Sequence, residues 1–279
     1  MTRLLSRAAL VLLGALTGLL LILPALVVVP MSLSDSPYLT FPPEGFSTRW
    51  FQRFLEDPAW QASTMASLRV AVLVTILSIV LGTAAALGLV RGRMPFKAAI
   101  SGLVVAPLIV PYVIIGLSAY ALALQLGLTE TTLGFVLIHT AIAVPYVVIN
   151  VTASLASFDR RLEQAALSLG AGPLSTFLRV TLPIIAPGIA AGAVFAFITS
   201  WDEVVISIFL SGPGMTTLPV RMWSGVRVQI DPTVAAVSTM LLLVTVAVFA
   251  AGGVSRLLLK LRLTRASRPA RTSPSLEQR

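Results

Sequence analysis

Asp202 and Glu203 are adjacent carboxylates inside an otherwise apolar stretch, AFITSWDEVVISIFL. On a helix that starts at Pro187 they lie about fifteen residues in, roughly 22 Å along its axis. A carboxylate in lipid costs on the order of 2.5–3.5 kcal/mol, so the pair is expected to face protein or water. Successive helical positions differ by about 100°, so one acid could line a pathway while the other bonds a neighbouring helix. Pathway lining, structural pairing and an early helix end with solvent exposure all remain open. The single His139 reads as a packed residue or as a proton-relay group, and one histidine without cysteine cannot form a metal cluster. Trp201, Trp223, Tyr112 and Tyr146 could stack on a cationic substrate or sit at a membrane interface. No convincing nucleophile–base set is present, which argues against an intramembrane hydrolase.

A second group of residues has the spacing of a docking element. The segment SFDRRLEQAALSLGAGPLSTFLRVTLPIIAPGI begins as an amphipathic helix, with Ser157 or Asp159 to cap it and Asp159 and Glu163 in its early turns. Leu162, Ala165, Ala166 and Leu169 recur at three- and four-residue intervals and form one apolar face. Gly170 ends that helix, Pro173 can begin another, and Pro183 and Pro187 lead into the next apolar run. This punctuation suits a helix–turn–helix that docks on another protein, or else a helix lying on the membrane surface.

The elements that must hold these residues are membrane helices. Apolar residues make up 57% of the 279 and charged residues 11%, against roughly 25% charged in a soluble domain. So few charges cannot cover a water-soluble globule, and the backbone must satisfy its own hydrogen bonds in lipid. Six apolar runs reach the roughly 20 residues needed to cross a bilayer, at about 8–29, 68–90, 98–124, 133–155, 187–210 and 234–259. The first follows Arg3 and Arg7 as a signal peptide would, but it is longer than the usual ~7–15 residues and lacks a cleavage site, so it reads as a retained helix.

The net charge of +9 does not point to nucleic acid, because the cations sit at the ends of apolar runs. Fifteen of the twenty lie on one side if the N-terminus is cytoplasmic: Arg3, Arg7, Arg91, Arg93, Lys97, Arg160, Arg161, Arg179 and seven in the tail from Arg256 onward. The positive-inside rule then places both termini in the cytoplasm. The organisation expected is an N-terminal helix with an outer loop (1–66), a core (67–260) containing an inner loop at 156–186, and a disordered cytoplasmic tail (261–279). Pro24, Pro107, Pro111 and Pro145 should kink their spans. Gly14 with Gly18, and Gly188 with Gly192, have the spacing that permits close helix approach. A phosphate loop needs Gly-Lys-Ser/Thr, whereas Lys97 and Lys260 follow Phe96 and Leu259. An ATP-driven role would need its energy from another chain.

The inner loop resembles the cytoplasmic coupling motif of binding-protein-dependent ABC importer permeases, E-A-A, three residues, G, nine residues, I-x-L-P. Gln164-Ala165-Ala166 is followed at those spacings by Gly170 and by Val180-Thr181-Leu182-Pro183. Valine replaces isoleucine, and glutamine replaces glutamate with Glu163 one residue earlier, so the polar contact to an ATPase falls to either Glu163 or Gln164. Over about 60–260, including SWDEVVISIFLSGPG, the chain is similar to permeases of the spermidine/putrescine and opine group. The resemblance implies an all-α, integral membrane type I ABC importer permease fold with six transmembrane helices, in a bacterial inner membrane. It implies coupling through Glu163, Gln164, Ala165, Ala166, Gly170, Leu182 and Pro183. It also implies a second homologous permease subunit, an ATPase dimer that holds the ATP and Mg, and an extracytoplasmic solute-binding protein. No cofactor is implied for this chain itself. The substrate path would draw on Trp201, Asp202, Glu203, Tyr112 and Tyr146. The alternative is an ion-gradient-driven secondary transporter coupled through Asp202, Glu203 and His139.

Overall fold

Lipid leaves backbone amides no partner outside the chain, and among the described residues every long apolar run is helical with no strand. The computed structural model describes residues 2–92, 95–229 and 231–247. In chain order the helices are α1 (Thr2–Ser32), α2 (Arg49–Glu56), α3 (Pro58–Arg91), α4 (Lys97–Val105), α5 (Tyr112–Gln125) and α6 (Thr132–Ala156). They continue as α7 (Arg161–Ser168), α8 (Pro173–Thr176), α9 (Leu182–Trp201), α10 (Val205–Leu210), α11 (Leu218–Ser224) and α12 (Thr233–Ala247).

The chain divides into two compact units, one formed by 1–54 with 230–279 and the other by Leu55–Gln229. In the first, α1 is apolar over most of its length from Ala8 onward, and no other part of the described chain lies within 4 Å of where a Cβ on Gly14 or Gly18 would sit. The loop after it is pinned by Trp50, whose indole N–H donates to the Ser34 carbonyl at 2.9 Å. The Arg49 guanidinium lies 4.4 Å from the centre of that indole and pairs with Asp35 at 3.3 Å.

The second unit is built on α3, α6 and α9, which pack on one another. Asp57 accepts a hydrogen bond from the Ala59 N–H and, with Pro58 at the first helical position, starts α3 ten residues before the apolar run predicts. Helix approach is set by glycines around one valine. A Cβ on Gly82 of α3 would fall 2.6 Å from the Val147 Cβ, and one on Gly192 of α9 would fall 2.8 Å from the Val147 Cα. Gly188 lies against the Asn150 carbonyl and Ser154, so the Gly188/Gly192 spacing does mark a close contact. Val70, Val74, Phe135, Ile142, Val151 and Ile185 fill the core around it.

The six-span expectation is met only in part by the described residues. Four helices are long and apolar enough to cross a membrane: α1 over Ala9–Ser32, α3, α6, and Pro173–Trp201, in which α8 and α9 join through a π-helical turn at Phe177–Thr181. The third run is not one straight helix. It breaks by 97° between Lys97–Leu108 and Tyr112–Gln125, where Pro107 and Pro111 remove backbone donors. The fifth run is continuous only to Trp201, because α10 is a separate short helix. Of the sixth, Thr233–Ala247 is helical; its continuation to Leu259 and the expected disordered tail lie outside the described residues, as does Arg93.

Candidate functional site

The segment from Ser157 to Pro183 lies at one end of the α3–α6–α9 bundle. Asp159 begins α7 by accepting the Arg161 N–H at 2.9 Å, while the Ser157 hydroxyl turns back to the Ser154 carbonyl. The helix ends in a left-handed turn. Gly170 has φ +86°, its N–H donates to the Leu167 carbonyl, and the Ala171 N–H donates to the Ala166 carbonyl. Pro173 does begin the second helix, but that helix runs through the π-turn into α9, so Pro183 and Pro187 lie inside the span.

Polar contacts divide the two faces of α7. The Glu163 carboxylate pairs with Arg91 at 2.8 Å and also accepts the Thr181 hydroxyl, binding α7 to the end of α3 and to the π-turn before α9. Arg91 lies 5.4 Å from the centre of the Phe158 ring, and Arg160 donates to the Val90 carbonyl at 3.4 Å. Gln164 and Ala165 are exposed, Ala166 is half-buried, Leu182 is half-buried and Pro183 is exposed. Of the apolar stripe, Leu162 and Leu169 stand exposed, the latter at 89%. The stripe therefore faces away from the bundle, while Glu163 faces into it.

The acidic pair lies at a helix break and not within a helix. α9 ends with the Asp202 N–H donating to the Ile198 carbonyl, and Asp202 itself is exposed. Among the described residues its carboxylate has no hydrogen bond or ion pair. Glu203 is buried and accepts the Ile206 and Ser207 N–H groups, each at 2.9 Å, which are the orphan donors at the start of α10. His139 is packed, as one of its two readings expects. Its Nδ1 meets the Ser200 hydroxyl at 3.0 Å, its Nε2 meets the Ser207 hydroxyl at 3.2 Å and lies 4.0 Å from Glu203, and Phe135 covers its edge.

The aromatic residues separate. Tyr112 is half-buried and packs against the core of the second unit. Tyr146 stacks on Phe195 and Trp201 stacks on Phe197, which occupies one face of each ring. Trp223 is covered by the Arg227 guanidinium, 4.6 Å from its centre. Sequence reasoning did not find Ser200 and Ser207 as partners of His139, nor Arg91 as the partner of Glu163. An acid directly before the apolar run that starts at Val204 was the available signal for Glu203 as a cap.

Residues 78–260 match the family described as binding-protein-dependent transport system inner membrane component. The chain is 38% identical over 226 residues to the putrescine transport system permease protein PotI of Escherichia coli K12, covering 78% of this chain and 80% of that one. It is 31% identical over 202 residues to the spermidine/putrescine transport system permease protein PotC of the same strain, covering 72% and 76%. Its fold is similar to a chain of a bacterial ABC transporter involved in import of the acidic polysaccharide alginate, with TM-score 0.68, 17% identity, and 91% and 96% of the two chains covered.

Proposed function

The chain belongs to the family of binding-protein-dependent transport system inner membrane components, and from that premise we propose that the cargo it passes is a polyamine or a related small amine. It is the permease subunit of an ABC importer, and the secondary-transporter reading is set aside. A second, homologous permease subunit completes the pore, two ATPase subunits carrying ATP and Mg dock on the segment around α7, and an extracytoplasmic solute-binding protein delivers cargo to the opposite end. The docking surface on this chain is the exposed face carrying Gln164, Ala165 and Gly170, with Glu163 holding α7 in place from behind. Both termini lie in the cytoplasm, a reading supported by the fifteen-to-five distribution of cations. A reporter fused after Arg179 should then report cytoplasm and one fused at Gly225 the outside; the reverse pair of signals would overturn the orientation.

The observation that carries the cargo reading is Asp202, an exposed carboxylate with no hydrogen bond or ion pair among the described residues, at a break in an apolar span. An amine passing this point loses hydration, and a carboxylate at about 4 Å returns on the order of 1–4 kcal/mol as the surroundings pass from water-like to protein-like. The contact must stay weak, or the amine would be trapped. Asp202→Asn keeps the volume and removes the charge, and it should lower putrescine import about tenfold while the subunit assembles normally. Glu203→Gln replaces one carboxylate oxygen that caps α10 with an amide, and it should lower the yield of folded subunit more than the import per assembled transporter. Import assays in vesicles, normalised to assembled transporter, separate the two. If both variants import putrescine at the wild-type rate, or if the cargo is anionic, the reading is wrong.

A further inference from the structure

A cleft of about 500 Å3 opens at the end of the second unit opposite α7. Its floor is a run of small residues on α3, including Ala59, Ala62, Ser63 and Ala66, and its walls include Arg69, Glu130 and Arg221. The far wall is a hydrogen-bonded turn. Glu130 has φ +58°, donates its N–H to the Leu210 carbonyl and accepts the Gly214 N–H at 2.6 Å. The Gly212 N–H donates to the Met215 carbonyl at 3.1 Å, and a Cβ on Gly212 would run into the Glu130 carboxylate. One Glu130 carboxylate oxygen is thus engaged by the turn it holds. The Arg221 guanidinium lies 5.4 Å from the centre of the Trp60 ring. Arg69 is exposed, and among the described residues it makes no hydrogen bond or ion pair.

Two guanidiniums against one partly committed carboxylate make a poor site for a cationic cargo and a good one for a carboxylate. The height of the cleft selects its source. α3 has 34 residues, about 51 Å of helix against a hydrocarbon core of about 30 Å. Arg91 marks one edge of the core, and Arg69 lies 22 residues away, about 33 Å on the same geometry. Arg69 therefore stands at the other edge, and the floor from Ala59 to Ala66 rises about 5–15 Å beyond it, outside the hydrocarbon core.

We propose that this cleft is a docking socket for an acidic side chain of the solute-binding protein, with Arg69 and Arg221 as its charge partners. This rests on the importer reading given above, with the coupling segment cytoplasmic. The long-range attraction of such a pair speeds encounter and is screened by salt. The turn held by Glu130 shapes the wall of the socket through its own hydrogen bonds.

The test uses the assembled transporter in nanodiscs and the solute-binding protein of the same system, with affinity measured directly at low and high salt. Arg69→Gln is expected to weaken docking about fivefold at low salt, Arg69→Glu to weaken it more, and Arg69→Lys to retain most of it. The salt dependence should flatten in the Gln variant, a change that misfolding alone would not produce. Arg221→Gln serves as a second variant, judged only in preparations that assemble to the wild-type level. Unchanged affinity and unchanged salt dependence in Arg69→Glu would overturn the proposal. So would a defect that appears only in nanodiscs containing anionic lipid, since that assigns the socket to a headgroup. Because docking is measured without cargo, a transporter that proves not to carry polyamines leaves this comparison readable.

Discussion

Gly170→Val is expected to yield a subunit that inserts and folds but imports at least about tenfold more slowly, with loss of ATPase association or of cargo-stimulated hydrolysis. Gly170 has φ +86°, a region costing of order 1–3 kcal/mol for a side-chain-bearing residue and most for a β-branched one. Beyond its immediate neighbours, no atom of the described chain lies within 4 Å of the position a Cβ would take, so crowding of the Cβ by another element is not the cause. The consequence is instead local. The turn that reverses the chain after α7 must reshape, and a side chain projects from the exposed surface assigned to ATPase docking. Gly170→Asn should keep most activity, because asparagine tolerates the left-handed conformation. Co-purification of the ATPase, hydrolysis rate and import in vesicles check the series. Wild-type transport by the valine variant would remove the docking role assigned to this turn.

The second large effect is expected in the bundle interior. Gly192→Leu should leave little folded subunit in the membrane, and Gly192→Ala should lower its thermal stability measurably. In lipid, helix association draws on packing and close approach more than on expulsion of water. At Gly192 even a methyl group would sit 2.8 Å from the Val147 Cα, and backbone cannot swing aside as a long side chain can. Overpacking of ordinary cores costs about 1–3 kcal/mol. Here the same residue, Val147, also meets α3 at Gly82, so separating α9 from α6 disturbs the three-helix contact as a whole. Detergent-solubilised material should elute largely as aggregate for the leucine variant. A monodisperse leucine variant with wild-type melting would show that α9 and α6 do not need this approach.

Much of the scaffold was legible because lipid imposes a simple rule on composition and length. The run at 133–155 became α6 with one residue added at each end, and the run at 8–29 became the apolar part of α1. Gly170 ended α7, as its place after the last apolar position requires. The motif spacing from Gln164 to Pro183 led to the importer family that the comparisons support. What resisted reading was where apolar runs stop being one helix. Hydropathy is blind to a 97° bend at Pro107–Pro111, since both arms stay apolar. It is equally blind to the break after Trp201, where Val204 to Leu210 continue the hydrophobic run in a new direction.

The sequence by itself determined that the protein is helical, that it lives in lipid, and where the helix–turn–helix between two apolar runs is punctuated. Those properties follow from local periodicity, residue composition and turn chemistry, each readable within a short window. Only the tertiary structure decided what each charged residue is for. Asp202 and Glu203 are neighbours of the same type, yet one is exposed and the other caps α10 beside His139. Glu163 and Gln164 compete for one role until Arg91 and Thr181 take up the glutamate. The Glu163 assignment depends on Arg91 and Thr181, distant in the chain and brought to it when α3, α6 and α9 pack together, while the Glu203 assignment depends on where the chain breaks between α9 and α10. A carboxylate's role is set by which donors surround it, and that is a property of packing.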